Sequence, residues 1–154
     1  MDALDRKALL LLMKGARMTW SDLGQALGLS APAAAERVRK LEEHGIIKGY
    51  TAILDAEALG YSLTAFVFVT LGDQRKRTAF HAGVKKLDQI VECHHVAGDD
   101  DFLLKVRCRG TRDLDRLLVE ELKGHMGVAR SRTTIVLDTG KETSAIPIDV
   151  ESSR

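Results

Sequence analysis

Trp20-Ser21-Asp22-Leu23-Gly24-Gln25-Ala26-Leu27-Gly28-Leu29-Ser30-Ala31-Pro32-Ala33-Ala34-Ala35-Glu36-Arg37-Val38-Arg39 reads as two short helices and the turn between them. Thr19 and Ser30 stand where each helix needs a hydroxyl cap for its first free N–H groups. Leu23, Ala26 and Leu27 make one inward face, and Ala34, Val38 and Leu41 make another at i, i+4, i+7. Gly28 supplies a backbone with φ above zero to stop the first helix. Pro32 falls in the first turn of the second, where its missing N–H costs nothing. Two helices crossing steeply need a very small residue at the crossing, and Gly24 is placed for that. This is a helix-turn-helix pattern, whose second helix presents its N-terminal residues to the major groove of DNA. The exposed positions expected on it are Ser30, Ala31, Pro32, Ala35, Glu36 and Arg39, with Arg37 and Lys40 as neighbouring cations. The alternative is an ordinary helical pair whose Arg37-Val38-Arg39-Lys40 segment is a solvated face.

Upstream, residues 3 to 13 read as a helix capped by Asp2, with Asp5 in its first turn and Leu4, Ala8, Leu11 and Leu12 forming the apolar stripe. Gly15 ends it. Downstream, Gly45 closes the third helix at about His44. Ile46-Ile47-Lys48-Gly49-Tyr50-Thr51-Ala52-Ile53-Leu54 has the composition of a connector strand. After Leu59-Gly60 the pattern becomes regular. Strands are expected over 63–71, 90–97, 102–109 and 130–138. Helices are expected over 77–87, with Phe80, Val84 and Leu87 inward, and over 113–123, with Leu114, Leu118 and Leu122 inward. The order β-α-β-β-α-β is the ferredoxin-like motif, so the fold class is α+β. The expected organisation is a helix-turn-helix domain over 1–46, a linker strand over 47–60, an effector-binding and oligomerisation domain over 61–141, and a loose tail over 142–154.

The first strand of that second domain is apolar on both sides. Leu63, Ala65, Val67, Val69 and Leu71 point one way; Phe66 and Phe68 point the other. Helices cover only one face of a ferredoxin-like sheet. Phe66 and Phe68 are therefore expected at a dimer interface with a second copy, the alternative being cover by the N-terminal domain.

Bulk composition sets limits. The chain has 154 residues, 45% hydrophobic and 29% charged, which is typical of a folded protein and not of a disordered one. No apolar run approaches the ~20 residues that span a membrane, and acids stand where a signal peptide carries basic charge. A cytoplasmic location without membrane contact is expected. The net charge is +1, and the first 60 residues hold eight Lys/Arg against eight Asp/Glu. A strong basic excess is absent, so DNA binding rests on local pattern and on several copies acting together. Cys93 and Cys108 lie at no metal-ligand spacing and read as small buried residues.

Gly98-Asp99-Asp100-Asp101 places three carboxylates in a tight turn between two strands. An amino acid brings an ammonium group, which a carboxylate suits, and a carboxylate, which free backbone N–H groups suit. Ser131 and Thr133, two residues apart on the last strand, add hydroxyls. The alternative is a solvated acidic hairpin. His94 and His95 point to opposite sides of their strand, so no metal site and no cofactor are expected.

Taken together, the chain resembles the Lrp/AsnC, or feast/famine, family of transcription regulators. The resemblance rests on Asp2-Ala3-Leu4-Asp5-Arg6-Lys7-Ala8-Leu9, on Gly28-Leu29-Ser30, on Glu36-Arg37-Val38-Arg39-Lys40-Leu41-Glu42 and on Gly45-Ile46-Ile47-Lys48-Gly49-Tyr50. Further along, Glu92-Cys93, Gly98-Asp99 with Asp101, Leu103-Leu104-Lys105-Val106, Gly127-Val128 and Ser131 to Leu137 continue it, in order, over about residues 1–141. The resemblance implies a winged helix-turn-helix, a linker strand and an αβ sandwich that dimerises through its sheet, with dimers commonly building octamers. It also implies amino acids or related metabolites bound between C-terminal domains near the Gly98–Asp101 turn. The expected function is a sequence-specific DNA-binding regulator that answers such a metabolite, with double-stranded DNA as partner and no enzymatic activity. The chain departs from the family pattern at the alanines 31, 33, 34 and 35 of the recognition helix, at Asp100 where an aromatic is usual, and at Ser131 where Thr is common. An effector-independent DNA-organising protein is one alternative. A sirohaem-decarboxylase-like enzyme is another, although its arginine-rich linker stretch is missing from Ile47-Lys48-Gly49-Tyr50.

Overall fold

The protein is described here by a computed structural model covering residues 1–149. It divides into two compact units. One is Met1–Ile53 together with residues 142–149, and the other is Leu54–Lys141. The part of the expected loose tail beyond residue 149 lies outside the described residues. Among the described residues no helix is long and apolar enough to cross a membrane.

Three helices build the first unit: α1 (Ala3–Lys14), α2 (Trp20–Leu27) and α3 (Ala31–Glu43). Each has its expected cap. Asp2 and Asp5 form a reciprocal box, each carboxylate accepting the other's backbone N–H at 2.8 Å. The Thr19 hydroxyl accepts from Asp22 N–H, and the Ser30 hydroxyl accepts from Ala33 N–H. Ala8, Leu12, Leu23, Leu27, Ala34 and Val38 close the core, with Leu4, Leu11 and Ile47 packed against it. Gly28 sits at φ 71°, ending α2 in the left-handed region. The Leu29 N–H donates to the Gly24 carbonyl at 2.8 Å. A Cβ on Gly24 would lie 2.8 Å from the Leu29 oxygen and 3.2 Å from the Ala31 nitrogen. The small residue at the crossing is thus required by backbone, which cannot move aside as a side chain would.

Within the single chain, the segment expected as a linker strand is unpaired. Residues 46–62 carry turns and extended backbone but no ladder, and among the described residues of the first unit there is no strand that would make a β wing. A strand is made by pairing, and no neighbouring segment of this unit presents an edge to 46–54. Two ties hold this stretch nevertheless. Ile46 and Ile47 N–H groups donate to the Leu41 carbonyl, and the Tyr50 hydroxyl donates to Glu42 at 2.8 Å. Burial and the adjacent Glu42 carboxylate push the Tyr50 phenol up to about 12.

The second unit contains β1 (Leu63–Leu71), a single 3₁₀ turn (Gln74–Lys76), α4 (Arg77–Val84), β2 (Ile90–His95), β3 (Phe102–Cys108), α5 (Thr111–Arg116) and β4 (Val128–Ile135). The sheet order is β2-β3-β1-β4, antiparallel throughout, which is the ferredoxin-like arrangement. β1 alternates as expected, with Leu63, Ala65, Val67, Val69 and Leu71 buried and Phe66 and Phe68 half-buried on the other face. The core combines that face with Phe80, Val84, Phe102, Leu104, Val106, Leu114, Leu117 and Leu122. One expected periodicity is corrected. Beyond Arg116 the helix widens into a π-helix, Leu117–His125, so Leu117 and Leu122 share the inward face and Leu118 is only partly buried. Five residues separate Leu117 from Leu122, a π repeat where a regular i, i+4 repeat was expected.

The Gly24 contact generates a direct expectation. Gly24→Ala gains up to about 1 kcal/mol of helix propensity. It also forces two backbone segments apart at a cost of roughly 1–3 kcal/mol. The net result should be a first unit destabilised by about 1–2 kcal/mol, read by thermal unfolding or by amide exchange in α2 and α3. Wild-type stability in this variant would contradict the close crossing.

Candidate nucleic-acid interface and effector site

The surface of α3 is set by which residues its core face consumes. With Ala34, Val38 and Leu41 buried, Ser30, Pro32, Glu36, Arg39 and Lys40 are exposed. Ala31 and Ala35 are half-buried, while Ala33, not selected from the sequence, is exposed. A helical wheel anchored on the buried residues shows why: Ala33 shares a stripe with Glu36 and Lys40. Arg39 and Lys40 are engaged with glutamates of the same helix. Arg39 forms a bidentate pair with Glu36 at 2.9 and 2.7 Å and also contacts Glu43. Lys40 Nζ lies 3.7 Å from Glu36. These pairs are exposed, the Arg39 side chain being 53% accessible. Such exposed pairs contribute little to stability.

Arg37 is placed differently. Its Nη1 donates to Asp2 at 2.7 Å and to Asp5 at 2.5 Å, reaching from α3 to the start of α1. Its side chain is 25% exposed and that of Asp5 only 15%. Asp5 and Asp2 raise the guanidinium's proton affinity. The Asp5 backbone N–H, and then Arg37, hold the Asp2 carboxyl below its ordinary range.

In the second unit the Gly98–Asp101 turn is fastened to the end of β1. The Asp101 N–H donates to the Val69 carbonyl at 2.8 Å. Its carboxylate accepts from Leu71 N–H and from the Gln74 amide, both at 2.7 Å. The Leu71 N–H, with Gln74 behind it, lowers the Asp101 carboxyl below its usual range, burial acting the other way. Asp100 turns to the sheet's other side. It accepts from the Thr70 hydroxyl at 3.2 Å and lies 3.5 Å from Arg130 and 3.4 Å from Arg132. Asp99 is exposed, its carbonyl accepting from Arg130. Gly98 gives the turn its φ of 139°.

Ser131 and Thr133 pair across the ladder with Val69 and Val67, so they lie on the helix-covered face of edge strand β4. The structure therefore gathers Asp100, Arg130 and Arg132 on one face and leaves Ser131 and Thr133 on the other. Alternation along β4 announced the separation of Ser131 from Arg132. Only the register between β4 and β1 brings the two arginines to Asp100, and only the fold of the β1–α4 connection brings Gln74 to Asp101.

Phe66 and Phe68 sit on the open face. The Arg132 guanidinium stacks 4.0 Å above the Phe68 ring. Lys105 and Arg107, the β3 partners of Phe66 and Thr64, share that face. It is thus an aromatic pair framed by cations and not an apolar sheet. His95 packs on Phe102 at 5.3 Å, on the helix side, while His94 lies 3.3 Å from Glu92. Among the described residues no three His, Cys, Asp or Glu side chains converge as metal ligands.

Asp101→Asn tests the anchoring of the turn. Asparagine has one acceptor oxygen and no charge, so with that oxygen on Leu71 N–H the Gln74 amide must flip to accept from the new amide, and both bonds lose their charge assistance. A hydrogen bond of this charge-assisted kind contributes on the order of 1–2 kcal/mol. The folded carboxyl is depressed, so its stabilisation is fully present above the unfolded value of ~3.9 and disappears as pH falls through the lower folded value. The melting temperature of Asp101→Asn should lie about 4–8 °C below wild type at neutral pH. The gap should close below about pH 4. A gap independent of pH would show that the carboxylate's charge is not what holds the turn.

Comparison with known proteins agrees with this architecture. The pattern of the AsnC-type helix-turn-helix domain matches residues 1–42, and that of the Lrp/AsnC ligand binding domain matches residues 64–146. The leucine-responsive regulatory protein of Salmonella typhimurium is 40% identical over 150 residues, spanning 96% of this chain and 92% of that protein. A transcriptional regulator of Neisseria meningitidis, solved as its L-methionine complex, superposes with a TM-score of 0.91 at 28% identity, covering 96% of both chains. The feast or famine regulatory protein of Mycobacterium tuberculosis, also complexed with L-methionine, gives 0.87 at 34% identity, covering 94% of this chain and 97% of that one. With both of its units matched in order, the chain belongs to the Lrp/AsnC family of helix-turn-helix transcription regulators.

Proposed function

We propose that this regulator binds double-stranded DNA through the exposed stripe of α3 and answers an amino acid through its second unit. The observation that carries the first half is the backbone-tight α2–α3 crossing at Gly24, which presents Ser30, Pro32, Ala33, Glu36, Arg39 and Lys40 along one accessible edge. Ser30 and Glu36 read sequence, while Arg39 and Lys40 meet phosphates after exchanging their glutamate partners. Few long polar side chains face the groove, so several copies share the binding energy.

The second half is supported by two structural neighbours solved with L-methionine. Gly98, Asp99, Asp100 and Asp101 form one side of the proposed effector site; Ser131 and Thr133, on the helix-covered face away from Asp100, can add hydroxyls only on the Asp101 side of the turn. Asp100 and Asp101 are already engaged, which leaves the exposed Asp99 for an ammonium group. A site so open within one chain is completed by a neighbouring copy, so the effector acts by favouring the assembly that completes it. A second copy also covers Phe66 and Phe68. The protein acts by binding, in the cytoplasm, and not by catalysis.

Two measurements test this. Fluorescence anisotropy against a fragment recovered by genomic footprinting should show affinity falling steeply with salt. Arg39→Ala should weaken binding to unrelated sequences alike and reduce the salt slope by about 0.9. Addition of L-methionine, or of another member of an amino-acid panel, should shift affinity or assembly size. Salt-insensitive binding, or no response to any amino acid, would refute the corresponding half. For assembly, light scattering should report a dimer or larger for the native chain. Phe66→Asp with Phe68→Asp should yield monomer or insoluble protein; a native monomer at micromolar concentration would refute the interface.

A further inference from the structure

We infer that Arg37, although it stands in the recognition helix, is a positioning residue that fixes the pose of α3 through Asp2 and Asp5 and is not a phosphate contact. The inference rests on α3 being the DNA-reading helix. Three observations carry it. The guanidinium donates to both carboxylates, at 2.7 and 2.5 Å, and so spans two helices, whereas Arg39 and Lys40 pair only within α3. Arg37 is a quarter exposed against about half for Arg39, and its nearer acid, Asp5, is largely buried. The two acids are also the capping box of α1, so their orientation is set by backbone N–H groups before Arg37 arrives. A preset pair of carboxylates facing one arginine is a clamp on the rotation of α3 about its own axis, because Arg37 stands one residue before the buried Val38. Releasing it for DNA would strand two carboxylates beside a phosphate backbone. The clamp therefore presents Glu36 and Lys40, its neighbours on the helix, to the groove at a defined angle.

The test exploits opposite signs. Asp2→Asn with Asp5→Asn keeps the capping oxygens, since asparagine caps as well as aspartate, but removes both charges. If Arg37 is a clamp, this variant should bind DNA about threefold to tenfold more weakly, the scale of coupling between contacting residues. Its salt slope should be unchanged. If Arg37 is instead a restrained phosphate contact, freeing it and deleting two negative charges should strengthen binding. Arg37→Gln should likewise weaken binding with no change in slope, and a slope reduced by about 0.9 would overturn the inference. A readout without DNA runs alongside, on full-length protein carrying no N-terminal tag. Amide exchange over residues 31–40 should quicken in both variants, and unchanged exchange would overturn the clamp whatever the DNA result. Failure of the wild type to bind DNA would refute the proposed function instead, and the exchange measurement would still decide whether the clamp exists.

Discussion

The second unit depends on the alternation of β1. It is bonded to β3 on one side and β4 on the other, so every odd residue from Leu63 to Leu71 enters the core and every even one leaves it. A slip of one residue would turn Val67 and Val69 out and press Phe66, Phe68 and two threonines into a core shaped for valines, which ties the register firmly. Two consequences reach the proposed effector site. The end of β1 offers the Val69 carbonyl and Leu71 N–H that hold Asp101, so the acidic turn is anchored to a central strand of the sheet. The same register sets Thr70 and Arg130 under the turn, where they meet Asp100. If the turn binds the effector as proposed, it starts from a rigid base, and binding energy is not consumed in ordering it.

The first unit solves a different problem. On the proposed reading it must show cations to DNA while its own charge is balanced, and its ion pairs are sorted in a way that suits this. Arg39 and Lys40 hold exposed partners on the same helix, and water competes with those partners at all times. Arg37 holds two acids from another helix in a half-sheltered place, where the exchange is more costly. Three cations within four residues thus divide into exchangeable and fixed. Salt bridges that differ so little in sequence differ in role because of where their partners come from.

Much of this could be read from the chain directly. Caps at Asp2, Thr19 and Ser30, the turn at Gly28, the small residue at Gly24 and the two faces of β1 are local or periodic signals, and the structure bears each of them out. The connector strand is not seen within one chain because β composition in 46–54 is a statement about side chains, whereas a strand exists only with a partner. The helix after Thr111 misled because Leu114, Leu118 and Leu122 satisfy a regular repeat. Packing on the sheet selected Leu117 and a π turn.

The site residues divide along the same line. Residue type and spacing along the chain determined that α3 carries polar and cationic groups, that three acids occupy one turn, and that Ser131 and Thr133 share a face, because each follows from the 3.6-residue or two-residue period of a single element. Tertiary structure alone decided that Arg37 belongs to Asp2 and Asp5, that Asp101 belongs to Leu71 and Gln74, and that Asp100 faces Arg130 and Arg132 on the side away from Ser131. These partners lie some 30 residues apart along the chain. Which of several chemically equivalent acids and cations meet is set by helix crossing and strand register, and neither is encoded in the neighbourhood of the residues concerned.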